Sequence, residues 1–557
     1  MKLIRLWLHT LLCACLLNPA AAAERKPAGI ASAHWLATAA GHRILDEGGN
    51  AFDAGVAMAA TLSVVEPESS GLGGGAFFLL HVAQDGRDVF VDAREKAPGA
   101  ATRDMYLDAQ GQPRRELSVN GALAAAIPGQ PAGLVHLATK YGRLPLAQSL
   151  KPAIEIARAG FPWSAKNATM IGFRAEVLAR SPAAAAQFLP KGKPPREGEI
   201  VKLPDLARTL EAMARDGHAG FYAGRVAKRL VEGVQAAGGL WTTDDLRAYQ
   251  VVEREPLVGS YGDWRIVTAP PPSSGGVALL TMFNQLSGFP LASFERVPRL
   301  HLLTEVMRRA YRDRAIYLGD PDFVSPPVAQ LIHPFYAAGL RASIRLDRAT
   351  PSAALPGIEA GPAGTDTSHF SVIDGEGNLL AATLSVNLPF GAAFVAPGTG
   401  FVLNNEMDDF SVKPGVPNAY GLVGEDANAI APGKRPLSSM TPSFAIGKER
   451  TVVIGTPGGS RIISMVLLGL LEIIEGRDAA AAVRLPRVHH QYLPDVLSAE
   501  PEALSDAEIA DLSARGFTVS PGERAWGNMH VVVRHADGRL EAASDPRWQK
   551  VGRATVQ

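Results

Sequence analysis

Polar and apolar side chains alternate over Ser368–Ile373 (SHFSVI), and the apolar run Leu379–Val386 (LLAATLSV) follows DGEGN at 374–378. The pattern predicts a β-hairpin closed by a five-residue turn, with Gly375 and Gly377 supplying positive φ. A symmetric five-residue loop sets Ile373 opposite Leu379 and, counting outward, Thr367 opposite Ser385. An even-numbered turn would set Thr367 opposite Leu384 instead. Opposed residues lie with Cβ atoms roughly 4.5–5.5 Å apart on one face. Two hydroxyls are thus expected side by side at the open end of the hairpin, with Asn387 one step further along that face. On hairpin grounds alone, an ordinary cross-strand pair that stabilises a sheet edge is the plainer reading.

Elsewhere the periodicity is mostly helical. His34–Gly48 and Ala51–Val65 read as two helices, the second rich in small residues and ended before Pro67. Pro204–Gly217 sets Leu206, Leu210 and Met213 on one face, with Asp205 as a cap and Gly217 as the stop. Arg299–Asp313 and Arg461–Ile474 read as further helices, and Trp264–Thr268, Phe90–Glu95 and the TVVIG segment from Thr451 as strands. SSGLGGG at 69–75 lacks the Lys-Ser/Thr of a phosphate loop, so a close backbone approach at the start of a buried strand is the better reading. Ala269–Gly276 (APPPSSGG) reads as a stiff loop, Ser352–Gly364 as a mobile linker, and the Gly/Pro/Asn-rich stretch 416–440 as a loop that covers a site.

Composition narrows the classes. Lys+Arg and Asp+Glu both number 55, and no basic stripe is interleaved with aromatics, which argues against nucleic acid. At 557 residues with 47% hydrophobic residues the chain can bury a large core. Its first residues carry a secretory pattern: basic MKLIR, apolar Leu6–Leu17, then small residues to a cut near Ala23–Glu24. That apolar run is too short for a membrane span, and no later one suffices. Both cysteines, Cys13 and Cys15, lie within the leader, and a periplasmic or secreted location is expected.

The segments TSHFSV, SVNLPFG, LNNEMDDFS, KRPLSSM and TPGGSR, in that order, resemble the γ-glutamyltranspeptidase family of N-terminal-nucleophile hydrolases. GGNAFDAGVAMA, FVDAREKAP, PPPSSGG and YLGDPDFV extend the resemblance over nearly the whole mature chain. It implies an α/β (α+β) fold, a four-layer αββα sandwich cut autocatalytically at Asp366–Thr367 into a large chain 24–366 and a small chain 367–557. Thr367 would be the nucleophile. Its hydroxyl needs a base, and a terminal α-amine titrating near ~7.7–8.0 can serve as one.

Other roles carry over by position. Ser385 stands where the family has a second threonine, and Gly458 and Gly459 resemble its oxyanion pair. Arg94, Ser438 and Ser439 would hold a substrate α-carboxylate, and Asn387, Glu406 and Asp409 its α-ammonium. Tyr420 matches a lid residue. Each has a plainer reading: Arg94 with Glu95 as a surface pair, NNEMDDF as a solvated turn, Gly458-Gly459 as a strand-to-helix turn, Tyr420 as a loop aromatic. His369 and the His489-His490 pair read as structural, with no metal ligand set. The implied activity is γ-glutamyl transfer from glutathione or related compounds to water or to amino-acid or dipeptide acceptors, without cofactor or metal. The rivals are a glutaryl-type acylase of the same fold and a periplasmic protein that binds γ-glutamyl peptides without turnover.

Overall fold

The computed structural model describes residues 26–355, 367–548 and 550–557. The leader, the predicted cut after Asp366 and all but the start of the predicted linker lie outside them. That start is anchored: Ser352 is fully buried, its N–H donates to Asp495 (2.6 Å) and its hydroxyl to the Tyr492 carbonyl (2.7 Å).

Among the described residues, thirteen strands build two main sheets: β1 Gly29–Ser32, β2 Gly75–Val82, β3 Arg87–Ala93, β4 Val252–Arg254, β5 Leu257–Tyr261, β6 Trp264–Thr268, β7 Ser368–Ile373, β8 Leu379–Ser385, β9 Ser443–Ile446, β10 Arg450–Gly455, β11 His530–His535, β12 Leu540–Ser544 and β13 Arg553–Val556. The seven-stranded sheet runs β13-β1-β7-β8-β2-β3-β4 and the six-stranded sheet β12-β11-β10-β9-β6-β5. Alternation along each strand sorts residues into two cores. On β2, Phe78 and Leu80 face a helical layer that includes α1 (Trp35–Asp46) and α2 (Ala51–Val65). Phe77 and Leu79 face the second sheet. That sheet is backed by α3 (Gly275–Leu286), α4 (Arg296–Tyr317) and α5 (Ile462–Ile474). The expected αββα order is what forms.

Local chemistry explains the helix ends. Asn50 caps α2 in a reciprocal capping box with Asp53. In the helix Pro204–Asp216, Asp205 does not cap: Leu203 holds that position without a side-chain bond, and Asp205 sits in the first turn, where the helix dipole favours it. The stiff loop is shorter than expected, because α3 starts at Gly275.

The hairpin β7–β8 has the predicted register, with Ile373 paired to Leu379 and Leu384 to Ser368. Only one of its turn glycines needs positive φ. Gly377 has φ 96°, whereas a Cβ on Gly375 would lie 2.4 Å from the Lys26 carbonyl, so close approach is what requires glycine there. The 69–75 stretch behaves likewise: Cβ atoms on Gly73 and Gly74 would meet the carbonyls of Val402 and Ser385 at 2.0 and 1.9 Å.

Candidate active site

At the open end of the β7–β8 hairpin lies a small cavity of about 20 Å³. Every predicted site residue except Gly458 lines it: Thr367, Ser385, Asn387, Arg94, Glu406, Asp409, Tyr420, Ser438, Ser439 and Gly459. Continuing the observed register one step beyond Ser368–Leu384 sets Thr367 against Ser385, and both are 3% exposed. The Ser385 hydroxyl accepts the Asn387 N–H at 2.8 Å, which leaves its own proton to donate elsewhere. Asn387 adopts φ 74°, a conformation that asparagine tolerates better than most residues.

The expected anion and cation sites are joined. Arg94 is 1% exposed, not a surface residue. One guanidinium nitrogen donates to Glu406, the other to Asp409 at 2.6 Å, and Glu95 lies 3.6 Å away. Burial opposes the Arg94 charge, but these carboxylates more than compensate and raise its pKa. Burial pushes Glu406 well above the usual carboxylate range and raises Asp409, both against the pull of Arg94. Burial takes Glu95 up to about 7, also against Arg94. Among the described residues, Asn387 Oδ1 and Glu406 Oε2 have no hydrogen-bond donor, nor has either Glu95 oxygen. Buried acceptors without donors are costly, so a cluster of them marks a place for a donor-rich ligand.

The acidic turn is an ordered 3₁₀ segment, Glu406–Asp409. Asn404 holds it, donating to the carbonyls of Gly73 (2.7 Å) and Ala126 (2.8 Å) and accepting the Glu406 N–H (2.9 Å). Ser438 and Ser439 are presented by the stretch that pairs with the proline-rich loop. The Ser438 N–H donates to Pro272 O (2.8 Å), and the Ser274 hydroxyl donates to Ser438 O (2.7 Å).

Tyr420 is buried. Its hydroxyl donates to the Asn387 carbonyl at 2.6 Å, and its ring covers Gly459. Gly458 (φ 143°) and Gly459 (φ 56°) form the turn between β10 and α5. Gly459 faces Thr367's cavity, whereas Gly458 lines a separate one.

Sequence reading missed two members of this neighbourhood. Arg314 on α4 is buried, donates to Ser274 (3.0 Å) and reaches Ser439 (3.5 Å); burial lowers its pKa to about 10, against the attraction of Asp409. Asn418 donates to Asp409 Oδ1 (3.0 Å) and accepts the N–H groups of Tyr420 (2.9 Å) and Leu422 (3.1 Å). YLGDPDFV begins three residues after Arg314, and that adjacency was the available signal.

The histidines are held within the protein. His369 shares hydrogen bonds with Thr383 and Ser371, and burial keeps it far below its usual pKa. His489 bonds Ser464 and Gln491, and His490 bonds Asp495. No group of His, Cys, Asp and Glu among the described residues could hold a metal ion.

The sequence profile of the gamma-glutamyltranspeptidase family matches residues 37–555. The chain belongs to the γ-glutamyltranspeptidase family. The Glutathione hydrolase proenzyme of Escherichia coli is 41% identical over 524 residues, covering 93% of this chain and 90% of that one. The Acylase ACY 1 proenzyme of Pseudomonas sp. strain SE83 is 38% identical over 537 residues, covering 94% and 93%. A solved cephalosporin acylase from Bacillus halodurans superposes with a TM-score of 0.84 at 28% identity, covering 95% and 96%. The expected αββα fold and the expectation of an enzyme are thereby borne out for this γ-glutamyltranspeptidase family member. Among its described residues no helix is long and apolar enough to cross a membrane.

Proposed function

We propose that the chain hydrolyses glutathione and other γ-glutamyl amides and transfers the γ-glutamyl group to water or to amino-acid or dipeptide amines. The precursor cuts itself between Asp366 and Thr367, giving a large chain 24–366 and a small chain 367–557. Thr367 Oγ then attacks the γ-carbonyl carbon while its α-amino group takes the hydroxyl proton. The backbone N–H groups of Gly458 and Gly459 stabilise the oxyanion; one such donor is worth about 10²–10³-fold in rate. The C–N bond breaks, the amino group passes its proton to the departing amine, and an ester on Thr367 remains for the acceptor. Ser385 orients the nucleophile. The secretory pattern of the first residues supports a periplasmic or extracellular location for this chemistry.

One observation carries the substrate assignment: Arg94 is paired with Glu406 and Asp409 beside the donorless acceptors Asn387 Oδ1 and Glu406 Oε2. An α-amino-acid head can enter such a cluster by exchanging ions. Its carboxylate takes Arg94, with Ser438 and Ser439, while its ammonium takes the two freed carboxylates and Asn387. A zwitterionic head adds no net charge to the buried cluster. A cavity of about 20 Å³ has room for about one water, so Tyr420 must swing out to admit the head and return over the ester.

The acylase relatives favour a second reading, in which the acyl group is glutaryl. A glutaryl group lacks the ammonium, so it would take Arg94 and leave two buried carboxylates unpaired. Breaking a buried pair this way costs about 3–5 kcal/mol, or at least ~10²-fold in kcat/KM. Release of nitroaniline from γ-glutamyl and glutaryl anilides tests this. A preference of at least ~10² for the γ-glutamyl compound is expected, and equal rates would transfer the assignment to the acylase reading. On a denaturing gel two fragments are expected from the wild type and one from Thr367→Ala; two fragments from that variant would show that the cut does not depend on Thr367.

A further inference from the structure

Behind the Gly458-Gly459 turn lies a second cavity, of about 80 Å³, with room for several water-sized groups. Gly459 faces the Thr367 cavity and Gly458 faces this one, so the proposed oxyanion turn is the partition between them. Trp526 and Trp548 line it with Met170, and Lys166 and Asn528 supply its polar groups. Asn528 is 1% exposed. Its backbone N–H is satisfied by the Thr456 hydroxyl (3.2 Å), yet neither its side-chain nitrogen nor its side-chain oxygen has a partner among the described residues. The indole N–H of Trp526 also lacks one, and the Arg461 guanidinium stacks on that ring at 4.4 Å. Lys166 donates to Glu66 (2.9 Å), which accepts the hydroxyl of Ser368, the residue after Thr367, at 2.7 Å. Through Glu66, Lys166 thus links this cavity to the first residue of β7.

One edge of an unpaired carboxamide sets an N–H donor and an acceptor oxygen side by side. That is the complement of a peptide unit, which presents one C=O and one N–H. Flat indole walls suit the small or apolar residue beside it. Resting on the proposed transfer chemistry, we infer that this cavity seats the amide next to the reacting amine: that of a dipeptide acceptor, and in the first half-reaction that of the departing peptide. The γ-glutamyl head fills the Thr367 cavity; the amine passes the edge of the turn to reach a face of the acyl carbon, while the amide next to it stays on the Gly458 side. The amine nitrogen bonds to the acyl carbon and the ester C–Oγ bond to Thr367 breaks. The proton the amine loses passes through the Thr367 α-amino group to Oγ.

The test separates donor from acceptor. Asn528→Ala, and Ala525→Trp at the exposed rim of the cavity, are compared with wild type for hydrolysis of γ-glutamyl nitroanilide alone and for transfer to glycylglycine over a range of concentrations. One lost amide hydrogen bond predicts a rise of about tenfold in the KM for glycylglycine in Asn528→Ala. The anilide KM and the rate of hydrolysis should stay within about twofold of wild type. A rise in the glycylglycine KM is also expected in Ala525→Trp, whose bulk stands at the mouth rather than in the core. Unchanged acceptor KM values in both variants, or hydrolysis falling in parallel with transfer, would overturn the inference. So would a wild type that hydrolyses the anilide but makes no transfer product. A wild type that releases no nitroaniline would instead remove the γ-glutamyl reading itself.

Discussion

Replacing Gly459 with alanine should disable the site through Tyr420. The new Cβ would stand 2.3 Å from Cε1 and 2.4 Å from Cδ1 of the tyrosine ring, where ordinary contact begins at 3.4 Å. The ring must therefore retreat by roughly 1 Å, and a misplacement of ~1 Å in a catalytic constellation costs about 10²-fold in rate. The retreat also breaks the 2.6 Å hydrogen bond from Tyr420 to the Asn387 carbonyl, worth ~1 kcal/mol. Alanine at φ 56° adds ~1–2 kcal/mol of backbone strain, which lowers stability. Steady-state anilide hydrolysis by Gly459→Ala, Tyr420→Ala and the double variant makes a cycle. Gly459→Ala is expected to lose about 10²-fold and Tyr420→Ala about tenfold. The double variant should match Tyr420→Ala within about threefold, because the ring that the new methyl strikes is gone. Losses that multiply in the double variant, or a Gly459→Ala enzyme near wild-type rate, would refute the steric argument.

Glu406→Gln removes one carboxylate of the ion exchange and should cut the preference for γ-glutamyl over glutaryl anilide by about tenfold or more, measured as the ratio of the two kcat/KM values. Asn418→Ala unties Tyr420 and Leu422 from Asp409 and should raise the anilide KM, with thermal stability changed by ~1 kcal/mol. Glu95 concerns pH: burial raises its folded pKa from 4.5 to about 7, so its protonated form stabilises the fold below pH ~4.5 and that contribution is lost as pH rises through 7. Glu95→Gln should therefore gain melting temperature over wild type between pH 5 and 8, by up to ~3 kcal/mol equivalent; a constant offset would show that Glu95 does not titrate there.

Legibility in the sequence followed range. The β7–β8 hairpin could be read because turn length and alternation are local, and its register carried Thr367 to Ser385 without other help. Helix α2 could be read from its small residues and Pro67, though its Asn50 cap was not. The close approaches at Gly73 and Gly74 were visible as a kind of contact, though their partners, Val402 and Ser385, were not. What stayed hidden joins distant stretches. Arg94 and Glu406 are 312 positions apart, and local context makes Arg94-Glu95 look like a surface pair. Resemblance named Glu406 and Asp409 as ligands of an ammonium, but only the three-dimensional arrangement shows them paired with Arg94 meanwhile. Arg314 and Asn418 escaped for the same reason, since neither stands in a motif by its own chemistry.

The order of strands in the two sheets has a consequence for the proposed cut after Asp366. In the seven-stranded sheet, β13, β7 and β8 come from the chain after residue 366, and β1, β2, β3 and β4 from the chain before it. β1 from the first fragment is sewn between β13 and β7 of the second, and the six-stranded sheet changes fragment between β9 and β6. Neither fragment owns a complete sheet. The two pieces are halves of one weave rather than docked subunits, so they should melt in a single transition, and neither should fold when made alone.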